Sequence, residues 1–114
     1  MLPTSIKNNK EFKLVYSNGK KIVSKSFIFY YLKNNKKYDR IGFTVSTKVG
    51  NSVERNRIRR RLKAIFRQDY LETQKGYDLV IVARTKIKYI NYKKLKNDFL
   101  KVNKKFRRKI WKKY

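Results

Sequence analysis

Between residues 8 and 19 the chain reads NNKEFKLVYSNG, and the apolar positions Phe12, Val15 and Tyr16 recur at the spacing of one helix face before Asn18-Gly19 stops the pattern. The spacing predicts a short amphipathic first helix. The following KKIVSKSFIFYYLKN is rich in β-branched and aromatic residues, which predicts a short strand at about Lys20 to Ser24 and a longer one at about Ser26 to Lys33. Polar NNKKYD then predicts a hairpin connection into RIGFTVSTKVG, where Ile41, Phe43 and Val45 alternate with Gly42, Thr44 and Ser46. That third strand has one apolar face and one of small polar groups.

Gly50-Asn51 ends this segment, and Asn51 with Glu54 three residues later has the form of a capping box, so a helix is expected from here to about Leu71. Ile58, Leu62, Ile65 and Phe66 make its apolar stripe. At about 100° per residue, Asn56, Arg59, Arg60, Lys63 and Arg67 fall on the opposite side, Arg57 and Arg61 on a flank, and Arg55 near the apolar edge of the first turn. The continuous apolar run Leu79 to Ala83 predicts a strand buried on both faces, hence central. Last, Tyr92, Leu95, Phe99, Val102, Phe106 and Ile110 line one face of a long helix whose other face is almost wholly basic. The order is α-β-β-β-α-β-α, an α+β two-layer sandwich in one domain, residues 1–114.

Charge changes this picture. Lys plus Arg total 33 against 7 Asp plus Glu, a formal net charge of +26, and the run RNRIRRR sets five arginines around one isoleucine. Like charges this dense repel one another, so a polyanion is expected to offset them. Nucleic acid is the first reading, because neutralised phosphates release condensed counterions; an anionic membrane surface is the competing one. Without Cys or His, thiolate sites, the usual zinc chemistry and imidazole general bases are excluded. Glu11, Asp39, Glu54, Asp69, Glu72, Asp78 and Asp98 are scattered singly, which gives a two-metal carboxylate site little support. No catalytic residue is expected in the chain. Its start, MLPTSIKNNKEF, lacks the apolar segment of a signal peptide, and no stretch approaches a membrane span, so the cytoplasm is the expected location.

The ordered set GFTVSTKVGNSVERNRIRRRLKAIFR, preceded by NKEFKLVYSNGKKIVSKSFIFYYL and followed by GYDLVIVAR, resembles the bacterial ribonuclease P protein component over essentially the whole chain. The family's arginine-asparagine-arginine helix stands here as Arg55, Asn56, Arg57, Ile58, Arg59 and Arg60, entered from the turn Thr44 to Asn51. Thr47 departs from the pattern. It occupies a place where the family usually has a lysine, leaving Lys48 alone of that pair and weakening one expected phosphate contact.

The resemblance implies the ribosomal protein S5 domain 2-like fold with its left-handed βαβ crossover, against the right-handed default. It also implies a role as the small protein subunit of a ribozyme, whose RNA uses Mg²⁺ to remove the 5′ leader of precursor tRNA. No cofactor is then expected on the protein, no membrane partner, and a 1:1 complex with the catalytic RNA. Arg55, Asn56, Arg57, Arg59, Arg60, Lys63 and Lys48 are implied to contact that RNA, since guanidinium groups fork onto phosphates and stack on bases. Phe12, Tyr16, Ile28, Tyr30, Thr44 and Ser46 are implied to bind the single-stranded leader in a cleft between the first helix and the sheet. Phe12 and Ile28 serve equally as core residues, and a structural RNA-binding protein shares the same charge and layers.

Overall fold

A run with no polar face to turn toward water belongs in the middle of a sheet, and the chain puts Leu79 to Ala83 there. The structure, a computed structural model, describes residues 3–111; the basic end of the chain at 112–114 lies outside them. In chain order the elements are β1 (Thr4–Ser5), α1 (Asn9–Asn18), β2 (Lys20–Val23), β3 (Phe27–Lys33), β4 (Arg40–Thr44), α2 (Ser52–Asp69), β5 (Tyr77–Ala83) and α3 (Tyr92–Ile110), with a 3₁₀ turn at Thr85–Tyr89. The sheet order is β1-β4-β5-β3-β2. β4 runs parallel to both β1 and β5, while β3 is antiparallel to β5 and β2.

Alternation sorts the strands' side chains between the two sides of the sheet. Phe27, Phe29, Tyr31, Ile41, Leu79 and Ile81 point to the side covered by α2 and α3, where Ile58, Leu62, Ile65 and Phe66 meet Leu95, Phe99, Val102 and Phe106. This is the main core. Phe66 and Phe106 are fully buried, so truncating either to Ala costs about 3 to 5 kcal/mol. On the other side α1 lies over β3 and β5, with Val15 buried against Ile6 and Val80 and with Phe12, Tyr30, Leu32 and Val82 packed around them. α1 is short and covers this side only in part, which leaves a cleft.

One expectation is corrected. NNKKYD does not close a hairpin, because β5 stands between β3 and β4 and pairs with both. The central position is the only one that buries both faces of its apolar run, and this outweighs the short closure of neighbouring strands. The connection is instead fastened to the segment before β5. Asp39, fully buried, accepts hydrogen bonds from the Tyr70 hydroxyl (2.6 Å), the Thr73 N–H (2.8 Å) and hydroxyl (2.7 Å), and the Tyr77 N–H (2.9 Å). Gly76 completes the junction. Its φ is +80°, and a Cβ there would stand 1.9 Å from the Lys36 carbonyl oxygen, so no other residue fits.

Candidate nucleic-acid interface

The helix α2 starts where Asn51 and Glu54 satisfy each other's backbone: Asn51 Oδ1 accepts from the Glu54 N–H (2.9 Å) and Glu54 Oε1 from the Asn51 N–H (3.0 Å). Its apolar stripe is buried. That rotation leaves Asn56, Arg57, Arg60 and Arg67 exposed, and Arg55, Arg59, Arg61 and Lys63 half-buried. Arg55 is turned back along the helix, its Nε donating to the Gly50 carbonyl (3.2 Å). Arg59 donates from Nη1 to Asn56 Oδ1 (3.0 Å), so Asn56 orients a guanidinium as well as facing solvent. Lys48 is exposed on the turn before the helix, which the Val49 N–H to Ser46 carbonyl bond (3.0 Å) and the buried Val49 side chain hold in place.

Electrostatics separates these cations from the rest. All seven carboxylates have other partners: Glu11 and Asp78 pair with Arg40, Glu54 with Lys88, Asp98 with Lys94 and Asp69 with Lys96, Glu72 accepts from the Asp39 N–H, and Asp39 sits in its buried network. Asp78, foremost, and Glu11 push the Arg40 pKa up. Burial raises Asp39, but the Tyr70, Thr73 and Tyr77 hydrogen bonds outweigh it and hold the carboxyl below its ordinary range. Among the described residues, no arginine of α2 has an ion-pair partner. Their charge is free for an external anion. Nor do three or more His, Cys, Asp or Glu converge among these residues into a group able to hold a metal.

The cleft beside α1 has a volume of about 400 Å³. Phe12, Lys13 and Tyr16 wall it from α1, and Phe43, Thr44 and Val45 from β4 and the residue after it. Tyr16 donates to or accepts from Thr44 through their hydroxyls at 2.7 Å, and its ring meets Tyr30 edge-on with centroids 5.2 Å apart. Phe12 lies over Gly42: a Cβ on that glycine would come within 2.6 Å of the ring. Hence the small residues on this face of β4 are what admit the aromatics of α1. Ile28 and Ser46 are placed differently. Ile28 is half-buried opposite Val82 and Val23, and Ser46 is exposed beyond the end of β4, so neither lines the cleft.

Sequence periodicity missed the most consequential wall. Arg59 of α2 lines the same cleft as Tyr16, so the arginine face and the aromatic cleft are continuous rather than separate. A helical wheel puts Arg59 opposite the apolar stripe, and only the packing of α2 beside β4 reveals the neighbour. Phe43 was missed as a cleft residue for the opposite reason: alternation assigns it to the core, and it does pack edge-on against Phe66 with centroids 6.0 Å apart. A surface of free guanidinium groups running into an aromatic cleft can hold phosphates on one part and unstacked bases on the other.

The chain as a whole is similar to known proteins. The family model described as Ribonuclease P matches residues 3–107. A ribonuclease P protein component from a Thermoanaerobacter species is 44% identical over 97 residues, 85% of this chain and 84% of that one. One from Caldanaerobacter subterraneus is 42% identical over 102 residues, 90% of this chain and 88% of that one. Among solved structures, the RNase P protein of Staphylococcus aureus superposes with a TM-score of 0.79 at 28% identity, covering 90% of this chain and 94% of its own. That of Thermotoga maritima gives 0.77 at 25%, covering 89% and 96%.

Proposed function

The chain belongs to the ribonuclease P protein family, and from that premise we propose that its arginine helix binds the catalytic RNA while its aromatic cleft takes the 5′ leader of precursor tRNA. Its role is in tRNA 5′ processing, as the protein component of a ribonucleoprotein endoribonuclease. The division of labour rests on one observation above all: among the described residues the arginines of α2 have no ion-pair partner, and Arg59 carries their surface directly into the cleft of Tyr16 and Phe12.

In this reading Arg57, Arg60 and Lys48 neutralise phosphates of the RNA subunit, and Arg59, oriented by Asn56, stands where RNA subunit and leader meet. Leader bases stack on Tyr16 and Phe12, and Thr44 keeps Tyr16 turned across the cleft. Tyr30 supports Tyr16 from behind, while Ile28 and Ser46 stand outside the walls of the cleft. The partners are one catalytic RNA and one precursor tRNA per protein, in the cytoplasm. Any Mg²⁺ belongs to the RNA, since this chain's carboxylates are committed to its own hydrogen bonds and ion pairs. The protein moves no proton; it positions substrate and lowers the electrostatic cost of bringing two RNAs together.

Reconstitution tests this. With the RNA subunit, the protein is expected to accelerate removal of the leader, most strongly at low Mg²⁺, and to cleave nothing alone. Equal cleavage with and without the chain at every Mg²⁺ concentration would overturn the proposal.

A further inference from the structure

Tyr89 is the most exposed of the large hydrophobic residues among those described, 83% accessible, and the backbone that carries it is anchored. It closes the 3₁₀ turn Thr85–Tyr89, which is anchored by the buried Ile87 and by backbone bonds from the Ile87 N–H to the Arg84 carbonyl (2.9 Å) and from the Ile90 N–H to the Ile87 carbonyl (3.1 Å). Single exposed apolar groups are ordinary on a protein surface. Its neighbour Lys88 distinguishes this one. The Lys88 ammonium lies 5.8 Å from the Tyr89 ring centroid and 3.2 Å from Glu54 Oε2, in the first turn of α2. Glu54 also feels the charge of Arg57, one helical turn along the same helix. The ring is thus tied through one lysine to the start of the arginine face, with Lys86 on the same short turn.

We propose that Tyr89 is a stacking platform for an unpaired base of the catalytic RNA, extending the α2 contact past the helix's first turn. This rests on the reading that α2 docks that RNA. A planar ring carried on an anchored turn offers a face to an unpaired base, and Lys86, Lys88 and Arg57 meet the flanking phosphates. The leader is not its occupant, because the cleft that would hold the leader is walled by Phe12, Tyr16 and Arg59, and Tyr89 is not among its walls.

The test is affinity of the full-length protein for the RNA subunit, at several salt concentrations, for Tyr89→Ala, Tyr89→Phe, Tyr89→Leu and Arg57→Ala. Tyr89→Ala is expected to weaken binding by about 5- to 150-fold, the equivalent of one base stack, with an unaltered salt slope because no charge is removed. Tyr89→Phe should bind as wild type and Tyr89→Leu should not. Wild-type affinity for Tyr89→Ala alongside weakened Arg57→Ala would overturn this inference alone; wild-type affinity for both would overturn the α2 reading beneath it. Full rescue by Leu, or a loss confined to precursor tRNA binding, would also overturn the proposal.

Discussion

Tyr16 and Thr44, 28 residues apart in sequence, share a hydrogen bond of 2.7 Å between their hydroxyls. The bond joins α1 to β4 across the cleft and sets the Tyr16 ring edge-on to Tyr30. Because the pair is partly open to water, Tyr16→Phe should cost only about 0.5 to 1.5 kcal/mol of stability. It should also keep most of the affinity for precursor tRNA, since the stacking surface remains. A Phe variant as weak as Tyr16→Ala would mean that the hydroxyl, not the ring, is what the substrate needs.

On α2 the salt dependence is the informative quantity. Arg57→Ala and Arg60→Ala should each reduce the log-log salt slope of RNA-subunit binding by roughly one unit for every phosphate left without its guanidinium. Both side chains are exposed and unpaired among the described residues, so melting temperatures should stay at the wild-type value. Unchanged slopes would remove these arginines from the RNA-binding face.

Gly42→Ala tests how the cleft floor is built. The added methyl would stand 2.6 Å from the Phe12 ring, so the ring has to swing away or the helix lift, at about 1 to 3 kcal/mol. A thermal melt reads the first effect and precursor tRNA affinity the second. If neither changes, Phe12 is not seated on this glycine.

The buried Asp39 network predicts a pH dependence. The folded protein holds Asp39 below its ordinary 3.8, so the unfolded chain takes up the proton more readily. The contribution is complete above that value and is lost as pH falls from it through the lower folded value. Glu72 acts in the opposite sense, since burial raises it above its ordinary 4.5; its contribution is lost as pH rises through the folded value. Through Asp39 the melting temperature should fall as pH drops below 3.8, less steeply in Asp39→Asn. That variant points an amide at two donors and should be destabilised by at least about 2 kcal/mol at neutral pH. A wild-type slope in Asp39→Asn would show that other carboxylates carry the acid sensitivity.

What was legible in the sequence is what depends on near neighbours. The stripe Ile58, Leu62, Ile65 and Phe66, the Asn51–Glu54 cap and the doubly buried run of β5 are written in spacings of a few residues, and each is found in the structure. Pairing of β5 between β3 and β4 is not local. It is set by which strand gains most from having both faces covered, and by Asp39 reaching Tyr70 and Thr73 across more than 30 residues. β1, two exposed residues long, carries no alternation to read. Likewise the family resemblance marked Phe12, Tyr16 and Thr44, which share a cleft. The entry of Arg59 into that cleft follows only from how α2 packs beside β4.

The central claim is that one continuous surface serves two RNAs, with the leader in the Tyr16 cleft and the catalytic RNA on the arginine helix. The measurement that tests it most directly is the ratio of precursor to mature tRNA affinity for the reconstituted enzyme at matched salt, wild type against Tyr16→Ala. The account predicts that Tyr16→Ala lowers precursor affinity by about 1 to 3 kcal/mol, leaves mature tRNA affinity and assembly with the RNA subunit unchanged, and so lowers the ratio. An unchanged ratio in a folded, fully assembled Tyr16→Ala enzyme would contradict it.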